Sequence, residues 1–122
     1  MIQEVSATII TTSGGAATVY IGTRLRGRVH AIKYTKGTLA AGTDLVITGE
    51  TTGVAILTDS PSANEWFYPR AFANQVADGA VETVAVSEDI YVVNERIKVV
   101  VAQGGDALTG TITAYIDTPA PY

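Results

Sequence analysis

Along most of this chain apolar and polar residues alternate one by one, the spacing by which a β-strand presents one dry face and one wet face. The alternation is clearest in Arg96-Ile97-Lys98-Val99-Val100-Val101-Ala102-Gln103, where Ile97, Val99 and Val101 fall on one side and Arg96 and Lys98 on the other. It recurs in residues 110–117, where Ile112, Ala114 and Ile116 alternate with Thr111, Thr113, Tyr115 and Asp117. The Gly104-Gly105 pair between these runs predicts a hairpin. Its wet-face residues Arg96, Lys98, Thr113 and Tyr115 are open to a partner, and its loop, residues 104–110, is a candidate reaching element.

The same pattern runs back to the N-terminus. Residues 2–12 are rich in β-branched side chains, Ser13-Gly14-Gly15 breaks the run, and residues 16–21 resume it, which predicts a first hairpin. After Gly22-Thr23 comes the longest predicted strand, residues 24–35. Leu25, Gly27, Val29 and Ala31 share one of its faces, and Arg24, Arg26, Arg28 and His30 share the other. The phase of the alternation changes at Ala31-Ile32, which predicts a bulge or a strand that passes from one sheet environment to another.

Residues 36–43 read as a loop, 44–50 as a strand, 51–53 as a turn and 54–58 as the next strand. Residues 59–64 are built from turn formers. They lead to Glu65-Trp66-Phe67-Tyr68-Pro69-Arg70, a strand that Pro69 must end or confine to an edge. Alternation sets Trp66 and Tyr68 on one face and Phe67 on the other. A helical turn fits only residues 71–79, with Phe72 and Val76 four apart and Gly79 as a stop. Residues 80–87 read as a loop or short strand, 90–93 as a strand, and Asn94-Glu95 as a turn.

Many short strands with turn signals about ten residues apart, and no alternating helices, predict an all-β fold. The expected architecture is an antiparallel β-sandwich or a jelly-roll-like arrangement, with a closed small barrel as the alternative. It forms a single domain over residues 1–117, followed by an extended, Pro-containing tail over 118–122. The seventeen threonines suit pleated surfaces that are wet on one side.

Composition narrows the function. A chain of 122 residues, 47% hydrophobic and only 16% charged, can bury roughly two-thirds of its unfolded surface and is not of the disordered class. With no cysteine there is no disulfide framework, thiolate metal site or cysteine nucleophile. The first residues lack the basic and apolar regions of a secretory signal, and no apolar run is long enough to span a bilayer, so synthesis in the cytoplasm and no membrane partner are expected. The charge is segregated. Between Val5 and Thr43 lie Arg24, Arg26, Arg28, Lys33 and Lys36 and no acid, while the rest of the chain carries a net −9. Either the two regions neutralise each other within the fold, or they present complementary surfaces to neighbouring molecules.

Candidate chemistry is sparse. His30 is the only histidine, which removes the usual centre of triads and His-pair metal sites and leaves a strand-face residue. The adjacent acids Glu88 and Asp89 point to opposite faces of any strand and make no glycosidase dyad; they read as solvated. Neither glycine pair has the spacing of a phosphate loop. The stripe Arg24, Arg26, Arg28 resembles a nucleic-acid footprint in charge alone, without interleaved aromatics and in a chain of pI near 4.7, so no nucleic acid is expected. The expectation is a non-enzymatic protein with no cofactor and no metal. Trp66, Tyr68 and Arg70 join large aromatics to a cation, the composition favoured at protein interfaces, although the only tryptophan of a small sandwich can equally be core.

Gly14-Gly15-Ala16-Ala17-Thr18-Val19-Tyr20, Thr48-Gly49-Glu50-Thr51-Thr52-Gly53, Trp66-Phe67-Tyr68-Pro69-Arg70 and residues 95–105 together resemble small virion structural proteins of tailed bacteriophages. That resemblance implies a capsid decoration or cement protein, a β-sandwich on the capsid surface that clamps the major capsid protein as a homo-oligomer, with a trimer expected. It brings no catalytic residues. Alternatives are a head-to-tail adaptor or tail component, and a carbohydrate-binding sandwich that uses Trp66 and Tyr68 as a stacking platform. The residues expected at a protein interface are Arg24, Arg26, Arg28, Trp66, Tyr68, Arg70 and Tyr122.

Overall fold

The computed structural model describes residues 1–72 and 87–118, and every element in them is a strand. β1 (Ile2–Ile10) pairs antiparallel with β9 (Thr109–Asp117) along its whole length, Ile2 opposite Asp117 and Ile10 opposite Thr109. β2 (Ala17–Thr35) joins the two halves of the fold. Its first part pairs with β8 (Tyr91–Ala102), from Ala17 opposite Val101 to Arg28 opposite Tyr91. Its second part pairs with β9, from Arg28 opposite Asp117 to Thr35 opposite Thr111.

β8 also pairs with β3 (Asp44–Gly49), and β3 with β4 (Ala55–Asp59). β5 (Glu65–Phe67) lies on β2 at Ile32 to Tyr34, and β6 (Arg70–Phe72) and β7 (Ser87–Asp89) form a separate two-stranded ladder. The path reads β1-β9-β2-β8-β3-β4, all antiparallel. Its ends β1 and β4 do not pair with each other, so the sheet is not closed into a barrel by this path.

The result is an all-β antiparallel sandwich. Ile21, Leu45, Ile47, Ile97 and Val99 come from the β3–β8 side and Ile9, Ile32, Tyr34, Ile112 and Ile116 from the β1–β9 side. All ten are fully buried in one cluster. Each aliphatic side chain so buried stabilises the fold by about 1.5–3 kcal/mol before chain entropy is set against it. The alternation therefore places the core as the sequence implies. The phase change at Ala31-Ile32 is also present: the β2–β9 register shifts between Val29 and Ala31, and Val29, Ala31, Ile32 and Tyr34 are all buried.

The pairing of strands differs from expectation in four places. Residues 96–103 and 110–117 do not form a hairpin, because β8 pairs with β2 and β3 while β9 pairs with β1 and β2. The chain between them reverses as its glycines require, but it crosses from one layer to the other. It is also no reaching element. Gly104 donates to the Gly15 carbonyl (2.9 Å), its own carbonyl accepts from Ala40 (3.0 Å), and the Leu108 N–H is received by Thr11 Oγ1 (2.9 Å).

The first predicted hairpin is likewise a turn without a ladder: Thr12 donates to Ala16 (3.0 Å), after which β1 and β2 take different partners. Gly22-Thr23 does not end a strand, since β2 runs unbroken to Thr35 with its register against β8 shifted between Ile21 and Leu25. Asn94-Glu95 is not a turn either. β8 passes through it as a bulge, with Asn94 at φ +52° and one residue of β2, Arg26, set against two of β8, Val93 and Asn94. Of residues 71–79, Ala71 and Phe72 belong to a strand and not to a helical turn; the rest of that segment, most of residues 80–87 and the tail 119–122 lie outside the described residues.

Gly27 sits where β2 leaves β8 for β9. Its φ is +127°, and a Cβ there would meet the Asp117 carbonyl oxygen, a backbone atom held in the β9 ladder. Gly27→Ala is therefore expected to cost roughly 2–4 kcal/mol in urea unfolding. Gly42→Ala, where a Cβ meets nothing within 4 Å, is the neutral control. Equal midpoints for the two variants would show that the crossover does not need this glycine.

Candidate functional site

Glu95 is the buried acid of the described residues, 3% exposed. The bulge at Asn94 turns it inward opposite Leu25, beneath the turn that joins β3 to β4. Its Oε1 accepts from the backbone N–H of Thr51 (2.9 Å) and Thr52 (3.0 Å), and its Oε2 accepts from the Thr52 hydroxyl (2.9 Å) and the Val93 N–H (3.2 Å). Gly49 leaves the room this needs, since a Cβ there would stand 2.7 Å from Oε1. Burial works to raise the Glu95 carboxyl, but the hydrogen bonds from Thr52, Val93 and Thr51 outweigh it and hold the group below its ordinary value. This carboxylate is a structural latch on a turn.

Arg28 is the centre of a second polar cluster. Its guanidinium reaches Asp117 (3.2 Å) and Asp89 (3.9 Å), and Nη2 lies 3.3 Å from His30 Nδ1. Arg70 Nε also reaches Asp89 (3.2 Å), and the Met1 ammonium reaches Asp117 (3.3 Å). That ammonium first, and Arg28 second, hold the Asp117 carboxyl below its ordinary value. The cluster borders an open groove of about 400 Å³ lined by Gly27, Arg28, Asp89, Tyr91, Asp117 and Thr118. Each carboxylate in the groove already has a cationic partner. The groove thus has the chemistry of a strand junction, where charge segregated along the chain is neutralised across it.

The outer face of the β1–β9 layer is different. Trp66 is 47% exposed, opposite Lys33 in the β2–β5 register. Its ring lies 5.2 Å from that of Tyr115 at 31°, with Lys33 Nζ 5.5 Å from the Trp66 ring. Tyr68, 60% exposed, sets its ring edge-on to His30 at 6.3 Å. Desolvation and the Glu4 carboxylate beside it push the Tyr115 hydroxyl above its ordinary value. Phe67 turns the other way and packs against the core, as alternation predicts. The face carries the Trp66–Tyr115 pair and Lys33 on strands and the Tyr68–His30 pair just beyond the end of β5, so the rings on the strands are held in place before any partner arrives.

No family model, curated protein or solved structure matches the chain.

The expected interface residues separate into three groups. Trp66 and Tyr68 are both exposed, Trp66 set against Tyr115 and Tyr68 against His30. Arg28 and Arg70 converge on Asp89 and are spent within the fold. Arg24 and Arg26 are exposed and make no ion pair among the described residues, but they stand at the β2–β8 bulge, seven or more residues up β2 from Lys33. At about 3.3 Å per residue that is more than roughly 20 Å along the strand. The arginine stripe and the aromatic cluster are therefore not one site. Tyr122 lies outside the described residues. Of the hairpin's wet-face residues, Tyr115 lies against Trp66, Thr113 is buried against Ser6, and Arg96 is engaged by Glu50 (2.6 Å) and the Tyr20 ring (3.9 Å). Sequence reading missed Tyr115 as the partner of Trp66 and Glu95 as a buried ligand of a turn. Nothing local marks either, since both depend on which strands become neighbours. Among the described residues no group of three acids or histidines could hold a metal ion, and no helix is long and apolar enough to cross a membrane.

Because the Glu95 carboxyl is lower in the fold than in the unfolded chain, its contribution is present above the ordinary glutamate value and lost as pH falls through the folded one. Glu95→Gln sets an amide group among N–H donors and is expected to cost roughly 2 kcal/mol at pH 7. The gap between variant and parent should narrow below about pH 4. Urea titrations at pH 7 and pH 3 check this, and a gap independent of pH would remove the carboxylate from the account.

Proposed function

We propose that this chain is a non-enzymatic structural protein of a tailed-bacteriophage virion, a decoration or cement protein that sits on the head shell as a homo-oligomer. It docks on the major capsid protein through the face built from Trp66, Tyr115, Lys33, Tyr68 and His30. The observation that carries the docking face is the exposed Trp66–Tyr115 stack on a rigid sheet. Large aromatics held in place beside cations are the composition of interface centres, where a few anchors supply most of the binding energy. The virion assignment rests on the resemblance of the four quoted segments to small phage structural proteins. An all-β domain without cysteine suits a part added to an assembly whose many weak contacts act together.

A head-to-tail adaptor or tail component would use the same face in a ring. A carbohydrate platform fits less well. Trp66 and Tyr68 do not stack as a pair, since Trp66 rests against Tyr115 and Lys33 and Tyr68 against His30.

Purified protein mixed with mature heads of the phage that carries its gene is expected to co-sediment in fixed stoichiometry and to appear as density on the shell. Trp66→Ala and Tyr68→Ala should each weaken that binding at least tenfold, about 1.4 kcal/mol. Both positions are exposed, so the unfolding midpoint should stay close to the parent's. Absence of binding at every salt concentration sinks the proposal; density on tails alone moves the protein to the adaptor reading.

A further inference from the structure

β1 ends the strand path, and its free edge can be read residue by residue. At the two ends of the β1–β9 ladder Thr118 donates to the Met1 carbonyl (2.8 Å) and Thr11 donates to the Leu108 carbonyl (2.9 Å). The register between them is unbroken. Hydrogen-bonded pairs alternate along an antiparallel ladder, so the odd residues Gln3, Val5, Ala7 and Ile9 direct their N–H and C=O groups to β9. The even residues Ile2, Glu4, Ser6, Thr8 and Ile10 direct theirs outward, and none of these groups has a backbone partner among the described residues. All five side chains are exposed, Ile2 by 52% and Ile10 by 63%.

Edges of this length are ordinarily blunted by lysine, proline, a bulge or brevity. β4, the opposite end of the path, is five residues long with a register shift against β3, and it ends on Asp59. β1 is nine residues long, unbulged and free of proline, with Glu4 as its one charge.

We infer that β1 pairs with β1 of a second copy of this chain, antiparallel about a two-fold axis at Ser6. The sequence is self-complementary in that register. Ile2 stands opposite Ile10 of the second copy, Glu4 opposite Thr8, and Ser6 opposite Ser6. Even residues meet even residues, as the outward N–H and C=O groups require, and about ten hydrogen bonds form across five pairs. The two large exposed apolar side chains of the edge cover each other, and the two carboxylates do not face each other. A shift by two residues in either direction loses an isoleucine pair, and a shift by one opposes outward groups to inward ones.

The axis runs perpendicular to the sheet, so the outer faces of both copies look the same way. Two Trp66 clusters are then presented to one side, and a repeating surface is gripped at two points. That consequence rests on the proposed docking face; the pairing does not. A two-fold contact also implies an even number of copies, either in place of the trimer expected from the resemblance or joining two such trimers.

The absence of native cysteine supplies the test. In the proposed register the two Ser6 Cα atoms are about 5.5 Å apart. That lies within the disulfide range of about 4.4–6.8 Å, whereas the two Thr8 positions are four residues out of step. Ser6→Cys is expected to give a disulfide-linked dimer under mild oxidation and Thr8→Cys to remain uncrosslinked. Native mass spectrometry of the unmodified protein should show an even number of copies, a dimer or two joined trimers. Ser6→Lys, which sets two ammonium groups opposite each other, should weaken association at least tenfold with far-UV circular dichroism unchanged. A protein that is only monomeric or only trimeric, or thiols at 6 and 8 that cross-link at the same rate, overturns the pairing. Because none of these measurements involves phage heads, their failure leaves the docking reading to its own experiment.

Discussion

The structure depends on one crossover, the point at Gly27-Arg28 where β2 leaves β8 and joins β9. Arg28 is opposite Tyr91 in one ladder and Asp117 in the other, so two sheets share one residue. A strand can serve both layers only if it turns sharply without losing its ladders. The backbone does so with a left-handed glycine against the Asp117 carbonyl, register shifts on either side, and an arginine whose charge is met by an acid from each flanking segment. Without that turn the residues of β2 beyond it would project their apolar side chains into solvent, because a strand's faces keep their period of two.

The polar residues of the interior serve the same end. Glu95 stabilises the β3–β4 turn because that turn presents N–H groups no ladder satisfies, and they meet the needs of a carboxylate that is itself buried. Gly15, Gly104, Ala40 and Thr11 tie the loop ends together in the same way at the other pole. Two pairs of distant segments meet here: 48–53 meets Glu95, and 14–20 meets 104–105. Their residues are occupied in holding turns to strands. By contrast the Trp66 segment buries Pro69, packs Phe67 against the core and pairs Arg70 with Asp89, and it leaves Trp66 and Tyr68 outside.

Among what the fold leaves exposed are an aromatic face and a strand edge, and both belong to the β1–β9 layer. On the β3–β8 layer Tyr20 lies under Arg96, which Glu50 holds, while Tyr91 and Val93 of β8 stay exposed.

The strands themselves were determined by the sequence, because alternation is a local property. Ile97, Val99 and Val101, or Ile112, Ala114 and Ile116, can face one way only if the backbone is extended, whatever lies beside them. The break in phase at Ala31-Ile32 was legible for the same reason, as was the opposition of Phe67 to Trp66 and Tyr68. The partner of each strand was decided by the tertiary structure alone. Gly104-Gly105 permits the chain to reverse without saying whether it returns in the same layer or the facing one, and a turn former such as Asn94 serves equally as a bulge inside a continuous strand. So the Trp66–Tyr115 stack, the burial of Glu95, the division of the arginine stripe and the open edge of β1 could not be read from spacing. They arise from neighbours far apart in sequence, which are chosen by the joint burial of both apolar faces and not by any local rule.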